Sequence, residues 1–209
     1  MSRDRLALEG PEGTLEAVLE GETETPAMIA IVCHPHPQFG GTMDNKVVTT
    51  LIRAARDAGA AALRFNFRGV GESQGAYSDG IGEVEDLIAV HRWLSKKYPG
   101  TPLWLAGFSF GSFVAARGAE VLAANGEAPA ALFLVAPPVH HYGFETIEKV
   151  GCPVTVVQGE DDEVVPADKV FRWAESTALA PDLIRFPDSG HFFHGQLVNL
   201  REVAASRLP

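Results

Sequence analysis

A strand that must become a helix within a single residue leaves a chain few folds to choose from. Such a run spans Leu103 to Leu122, LWLAGFSFGSFVAARGAEVL. Leu103, Trp104, Leu105 and Ala106 are wholly apolar, as expected of a strand covered on both faces. Val114, Ala115, Gly118, Val121 and Leu122 then recur at helical spacing. Between the two stands a G-x-S-x-G, Gly107-Phe108-Ser109-Phe110-Gly111. The abrupt turn forces Ser109 into a strained backbone conformation. The glycines on either side remove side chains that would collide as strand and helix close on each other. The hydroxyl is then presented at the carboxyl edge of a sheet and at a helix amino terminus. Free N–H groups and the helix dipole favour developing negative charge there. Alone, the five-residue pattern also fits a small-residue turn; the flanking strand and helix make it a nucleophile elbow.

The rest of the chain supplies the sheet that this elbow needs. Residues 4–9 and 14–20, separated by Gly10-Pro11-Glu12-Gly13, read as an antiparallel hairpin at a sheet edge. Buried strands follow at Met28–His34, Ala61–Phe67, Leu103–Ala106, Ala131–Pro138, Pro153–Gly159 and Asp182–Pro187. Helices are expected over Asn45–Gly59, capped by Thr42 or Asp44, and over Glu83–Tyr98, Ala167–Thr177 and Phe192–Arg207. His34-Pro35-His36-Pro37-Gln38-Phe39-Gly40-Gly41 is expected to be an ordered loop, since prolines and glycines break both regular structures. Strands alternating with helices imply right-handed crossovers and a mostly parallel sheet with helices on both faces. The expectation is one α/β domain over residues 1–209.

In an open α/β sheet, reacting groups collect beyond the carboxyl ends of the strands. That rule sorts the seven histidines. His91 falls mid-helix, and His194 lies one turn beyond His191. His191, in Asp188-Ser189-Gly190-His191, directly follows the last strand and is the expected base for Ser109. A histidine base is held in the right tautomer by a carboxylate, which also stabilises the imidazolium. Glu160-Asp161-Asp162-Glu163 follows the strand that ends at Gly159. Asp162 is preferred to Asp161, although spacing alone leaves both open. An oxyanion needs two N–H donors. Phe110, next to the serine, supplies one; Pro35 and Pro37 have no N–H, so the other falls to His36, Gln38 or a following residue. His34 and His36, with His140 and His141, lack the carboxylate or cysteine partners of a regular metal site, so neither metal nor organic cofactor is expected.

Composition narrows the partners. The 17 basic against 27 acidic residues give a net charge of −10, which argues against nucleic acid and anionic membranes. Cys33 and Cys152 border core strands and are expected as free, buried thiols of a reducing compartment. MSRDRLALEGPEG lacks the apolar run of a signal peptide, and no stretch reaches membrane-span length, so a cytoplasmic protein is expected.

Two long segments carry a resemblance. HPHPQFGGTMDNK, His34–Lys46, and RFNFRGVGESQG, Arg64–Gly75, are similar to small bacterial α/β-hydrolases related to dienelactone hydrolases and acyl peptidases. The resemblance implies the α/β-hydrolase fold and a Ser109, Asp162, His191 triad. It favours Asp162 over Asp161 through the pattern G-x-x-D-x-x-V-P and gives Arg68, Gly69 and Gly71 the role of ordering neighbouring loops. It implies a serine hydrolase of the carboxylesterase type, with thioesters or small amides as alternatives and a non-catalytic binding relative as a different class of reading. The implied partner is a small ester-like substrate, and the expected state a monomer or homodimer. Relatives often insert a helical lid after the strand that follows the elbow. Here Val139–Cys152 is too short for one, and an open site is expected with His140, His141, Tyr142 and Phe144 as its rim.

Overall fold

The computed structural model describes residues 3–21 and 24–209. A single eight-stranded sheet runs through it in the order β1-β2-β4-β3-β5-β6-β7-β8. The strands are β1 (Arg3–Gly10), β2 (Gly13–Glu20), β3 (Met28–Cys33), β4 (Ala60–Phe65), β5 (Leu103–Phe108), β6 (Ala131–Val135), β7 (Val154–Gly159) and β8 (Asp182–Phe186). The β1–β2 hairpin pairs antiparallel within itself and against β4, and every other pairing is parallel. The helices are α1 (Lys46–Asp57), α2 (Ile81–Lys97), α3 (Phe110–Ala124), α4 (Ala167–Ser176) and α5 (Leu197–Ala205).

All six residues of β3, β4, β5 and β7 are buried, because helices cover both faces of the central sheet. Side chains divide between the faces with a period of two. Ile29, Ile31, Leu103 and Leu105 pack with α2 and α3, whereas Ala30, Val32, Trp104 and Ala106 pack with α1 and α5. From β3 the chain crosses through α1 to β4, then returns through α2 to β5 on the other side of β3. The order reverses at this point, so the loops after β3 and after β5 open a crevice at their carboxyl ends.

Four local expectations are corrected. The α1 cap is Asn45, whose Oδ1 accepts the Val47 N–H at 2.8 Å; Thr42 accepts from Asp44 instead, and Asp44 pairs with Arg64. The His34–Gly41 loop contains a 3-10 turn at Pro37–Phe39. Helix α5 starts at Leu197, not Phe192, since Phe193 has φ +53° and breaks any helix through it. Phe144 belongs to the core rather than to a rim: it is fully buried within a short 3-10 turn and packs edge-on against Phe113 and Trp173. With Ile147 and Val150 it ties 139–152 down onto the sheet, so this segment forms no lid.

Both cysteines are free; Cys33 is buried, and Cys152 is partly buried with its thiol pushed up to about 11. Among the described residues, no helix is long and apolar enough to cross a membrane.

Candidate active site

Strand β5 ends at Phe108 and α3 begins at Phe110, so Ser109 makes the whole turn, at φ 53° and ψ −121°. Two close approaches explain the glycines. A Cβ on Gly107 would lie 2.1 Å from the Gly111 carbonyl oxygen, and one on Gly111 would lie 2.3 Å from that of Cys33. Only bare backbone lets α3 start this near the ends of β3 and β5. The elbow is stapled to β6: Ser109 N–H donates to the Val135 carbonyl at 2.8 Å, and the Ser112 hydroxyl donates to the same oxygen at 2.8 Å.

His191 enters from the turn between β8 and α5. Its Nε2 lies 3.1 Å from Ser109 Oγ and its Nδ1 lies 2.8 Å from Asp162 Oδ2. The ring is held between Phe108 and Phe192, with centroids at 5.0 and 5.1 Å. Asp162 follows β7 and is saturated with donors. Oδ1 accepts Val164 N–H at 2.9 Å and Val165 N–H at 2.7 Å, while Oδ2 also accepts Gln158 Nε2 at 3.0 Å. Burial pushes its carboxyl up, but the hydrogen bond and charge of His191, then the Val165 and Val164 amides, outweigh it and hold the carboxyl below its ordinary value. Asp161 is exposed, and its N–H donates to the Ser189 carbonyl.

The remaining histidines separate cleanly. His34 is fully buried, with Nδ1 2.6 Å from the Pro35 carbonyl and Nε2 accepting the Phe67 N–H at 3.0 Å. Both ring nitrogens are thus committed to backbone, and burial holds the ring neutral by lowering its pKa to about 3. His91 is packed on α2 against Ser95. His36, His140 and His141 line the crevice, and His194 is exposed. In the loop after β3, Gln38 N–H is turned to His36 Nδ1 at 3.2 Å, and Phe39 and Gly41 N–H both donate to the His36 carbonyl. Among the described residues, the N–H groups of His36 and Phe110 have no protein acceptor. Ser109, His191, His36 and Phe110 share a cleft of about 730 Å³.

The sequence model of the alpha/beta hydrolase fold matches residues 33–151, more than half of the chain. The chain belongs to the α/β-hydrolase family. Solved relatives extend the likeness over the full length of this α/β-hydrolase. A serine hydrolase without a lid from Xanthomonas campestris is 39% identical, with a TM-score of 0.90 over 99% of this chain and 93% of its own. A serine hydrolase homologue from Coxiella burnetii is 41% identical, with a TM-score of 0.91 over 100% of this chain and 99% of its own. An uncharacterized protein of Rickettsia prowazekii is 39% identical over 165 residues, 77% of this chain and 68% of its own.

Three supporting residues of this α/β-hydrolase escape a reading of the sequence alone. Glu163 accepts the His191 N–H at 3.0 Å, so the acid loop also fixes the backbone of the histidine loop. Gln158, the penultimate residue of β7, donates to Asp162 and to the carbonyls of Gly159 and Val165. Asp86, buried on α2, takes the Arg68 guanidinium in a forked pair at 2.7 and 3.1 Å. That pair anchors the Arg68–Gly71 loop from below. A buried glutamine in an apolar strand and an acid on the inner face of a helix are the only signals the sequence offers for the last two.

Proposed function

We propose that this α/β-hydrolase is a serine hydrolase that cleaves small carboxylic esters through an acyl-enzyme. The observation that carries the reading is the unbroken chain of contacts Ser109–His191–Asp162, at 3.1 and 2.8 Å, opening into a solvent-accessible cleft. With Asp162 ionised, His191 carries its proton on Nδ1 and offers Nε2 as an acceptor. Ser109 Oγ attacks the ester carbonyl while its proton passes to Nε2. The resulting imidazolium is balanced by Asp162.

Charge on the carbonyl oxygen is met by the N–H of Phe110 and that of His36, which the neighbouring turn leaves unspent, whereas Gln38 N–H is already used. A missing donor of this kind costs on the order of 3 kcal/mol in the transition state. His191 then protonates the leaving alkoxide as the acyl–oxygen bond breaks. Water, deprotonated by the same Nε2, attacks the acyl-serine. The products are one carboxylic acid and one alcohol, and Ser109 recovers its proton.

The test is labelling by a fluorophosphonate alongside hydrolysis of p-nitrophenyl acetate. Labelling should map to Ser109, and Ser109→Ala should lose both labelling and turnover while melting at a similar temperature. Retained turnover in that variant would refute the proposal.

A further inference from the structure

The cleft holds a second constellation that the ester chemistry does not use. Among the described residues, Asp79 is its only carboxylate besides the reacting groups, and no lysine or arginine lines it. Asp79 is exposed, and among the described residues its carboxylate has no hydrogen-bond or ion-pair partner. Its position is nonetheless built. Asp79 and Gly80 are successive left-handed residues, at φ 50° and 88°. Glu83, fully buried, accepts the N–H groups of Ser78 at 2.9 Å and Gly80 at 2.8 Å, clamping the turn from both sides. A left-handed aspartate is strained and persists where its surroundings impose it.

Aromatic rings line the same cleft as this carboxylate. His36 lies 4.7 Å from Phe39 and 4.9 Å from Tyr77, and Phe110 lies 5.4 Å from Tyr142, all by ring centroids. Tyr77 Oη is 3.1 Å from His36 Nε2. Phe39 is 85% exposed at the mouth, an apolar ring left in water. Burial lowers the His36 pKa against the opposing pull of Asp79, and raises both phenols, so these rings stay uncharged near neutral pH. Uncharged π faces beside one unpaired carboxylate form the environment that attracts an organic cation and repels an anion.

We propose that the cleft selects esters bearing an ammonium group, held by Asp79 and the rings of His36, Phe39, Tyr77 and Tyr142. The inference rests on the ester-hydrolase reading for its reaction, but the binding it requires is separate from turnover. The net charge of −10 also draws cations from a distance, so the test needs a control for it. Asp79→Asn removes the charge and keeps a residue that tolerates the left-handed conformation. Glu9→Gln, on the edge strand β1, removes the same charge elsewhere.

Two matched pairs separate the acyl from the alcohol side. One is the p-nitrophenyl ester of a trimethylammonio acid and its tert-butyl carbon isostere. The other is choline acetate and the acetate of the tert-butyl isostere of choline. In at least one pair, kcat/KM should favour the ammonium member by roughly tenfold. That ratio should fall towards one in Asp79→Asn and hold in Glu9→Gln. Choline itself should bind, in a calorimetric or NMR titration, more tightly to the parent chain than to Asp79→Asn. Hydrolysis of p-nitrophenyl acetate with ratios near one in both pairs and no choline binding would overturn the inference alone. Asp79-dependent choline binding to a chain that hydrolyses nothing would uphold the ammonium site and overturn the hydrolase reading, and with it the selection of esters. Absence of both activities would overturn both.

Discussion

Replacing Asp162 by asparagine changes one atom and sets four donors against an amide that has only one acceptor oxygen. In the parent chain, Oδ1 receives two backbone N–H groups, and Oδ2 receives Gln158 Nε2 and His191 Nδ1. If the new NH2 occupied the Oδ1 side, it would face Val164 and Val165 N–H, which are backbone and cannot turn away. The amide therefore places its NH2 against Gln158 and His191. His191 answers by moving its proton to Nε2, so Nδ1 can accept. Nε2–H then points at Ser109 and can no longer take its proton.

Gln158 could flip to offer its otherwise unpartnered Oε1, but that oxygen would then oppose the carbonyls of Gly159 and Val165. Loss of the correct tautomer predicts a drop in kcat of about ten-thousandfold, near 5.5 kcal/mol of activation free energy. Losing charge-assisted hydrogen bonds to Asp162 lowers stability by about 1.5–3 kcal/mol, or roughly 3–12 °C in melting temperature for a chain of this size. Initial rates on p-nitrophenyl acetate, with thermal melts followed by circular dichroism, measure both. Asp161→Asn, with its side chain in solvent, should change the rate by less than about twofold and stability by less than about 0.5 kcal/mol. A small effect of Asp162→Asn, or a large one of Asp161→Asn, would refute this reasoning.

Three further outcomes are expected. Gly111→Ala should lose about 1–3 kcal/mol of stability or more. Its Cβ would press within 2.3 and 2.5 Å of the Cys33 and His34 carbonyl oxygens, and displacing α3 should reduce turnover beyond the loss of folded protein, as melts and fluorophosphonate titration of the folded fraction would show. His34, whose folded pKa of about 3 lies below the ordinary 6.5 of an imidazole, is a proton-binding site mainly in the unfolded chain. Its contribution to stability is therefore complete above about pH 6.5 and declines as pH falls towards the folded value; an NMR signal assigned to the His34 imidazole and titrating near 6.5 in the folded protein would contradict this. Because Phe144, Ile147 and Val150 tie 139–152 to the core, hydrolysis of short-chain esters should saturate normally, and a jump in rate at the substrate's solubility limit would argue for a covering segment.

What the sequence makes legible is what short-range chemistry decides. The elbow is written in consecutive residues, because strand, turn and helix each leave a local mark from Leu103 to Leu122. The parallel sheet with an antiparallel edge follows from the alternation of apolar runs with amphipathic ones. Residues brought near Ser109 by crossovers, His191 and Asp162 among them, are visible as loop residues beyond strand ends. The choice between Asp161 and Asp162 is not decided by spacing, since it depends on which side chain turns inward to meet Val164, Val165 and Gln158.

The second N–H donor is equally hidden. It depends on how the turn at Pro37–Phe39 uses up the amides of Gln38, Phe39 and Gly41. The start of α5 is misread because apolar Phe192 and Phe193 suggest helix, whereas Phe193 is a left-handed turn residue. Phe144 looks like a rim residue only while the packing of Trp173 beneath it is unknown.

Acylation of Ser109 during turnover can be caught by rapid acid quenching. Protein mixed with excess p-nitrophenyl acetate should be quenched within one turnover, digested and analysed by mass spectrometry. An acetyl group is expected on Ser109, formed together with an initial burst of p-nitrophenol and lost as steady state gives way to exhaustion of the ester. His191→Ala should form that adduct far more slowly. Hydrolysis that proceeds at full rate with the acetyl group on another residue, or unchanged in Ser109→Ala, would contradict acylation at Ser109.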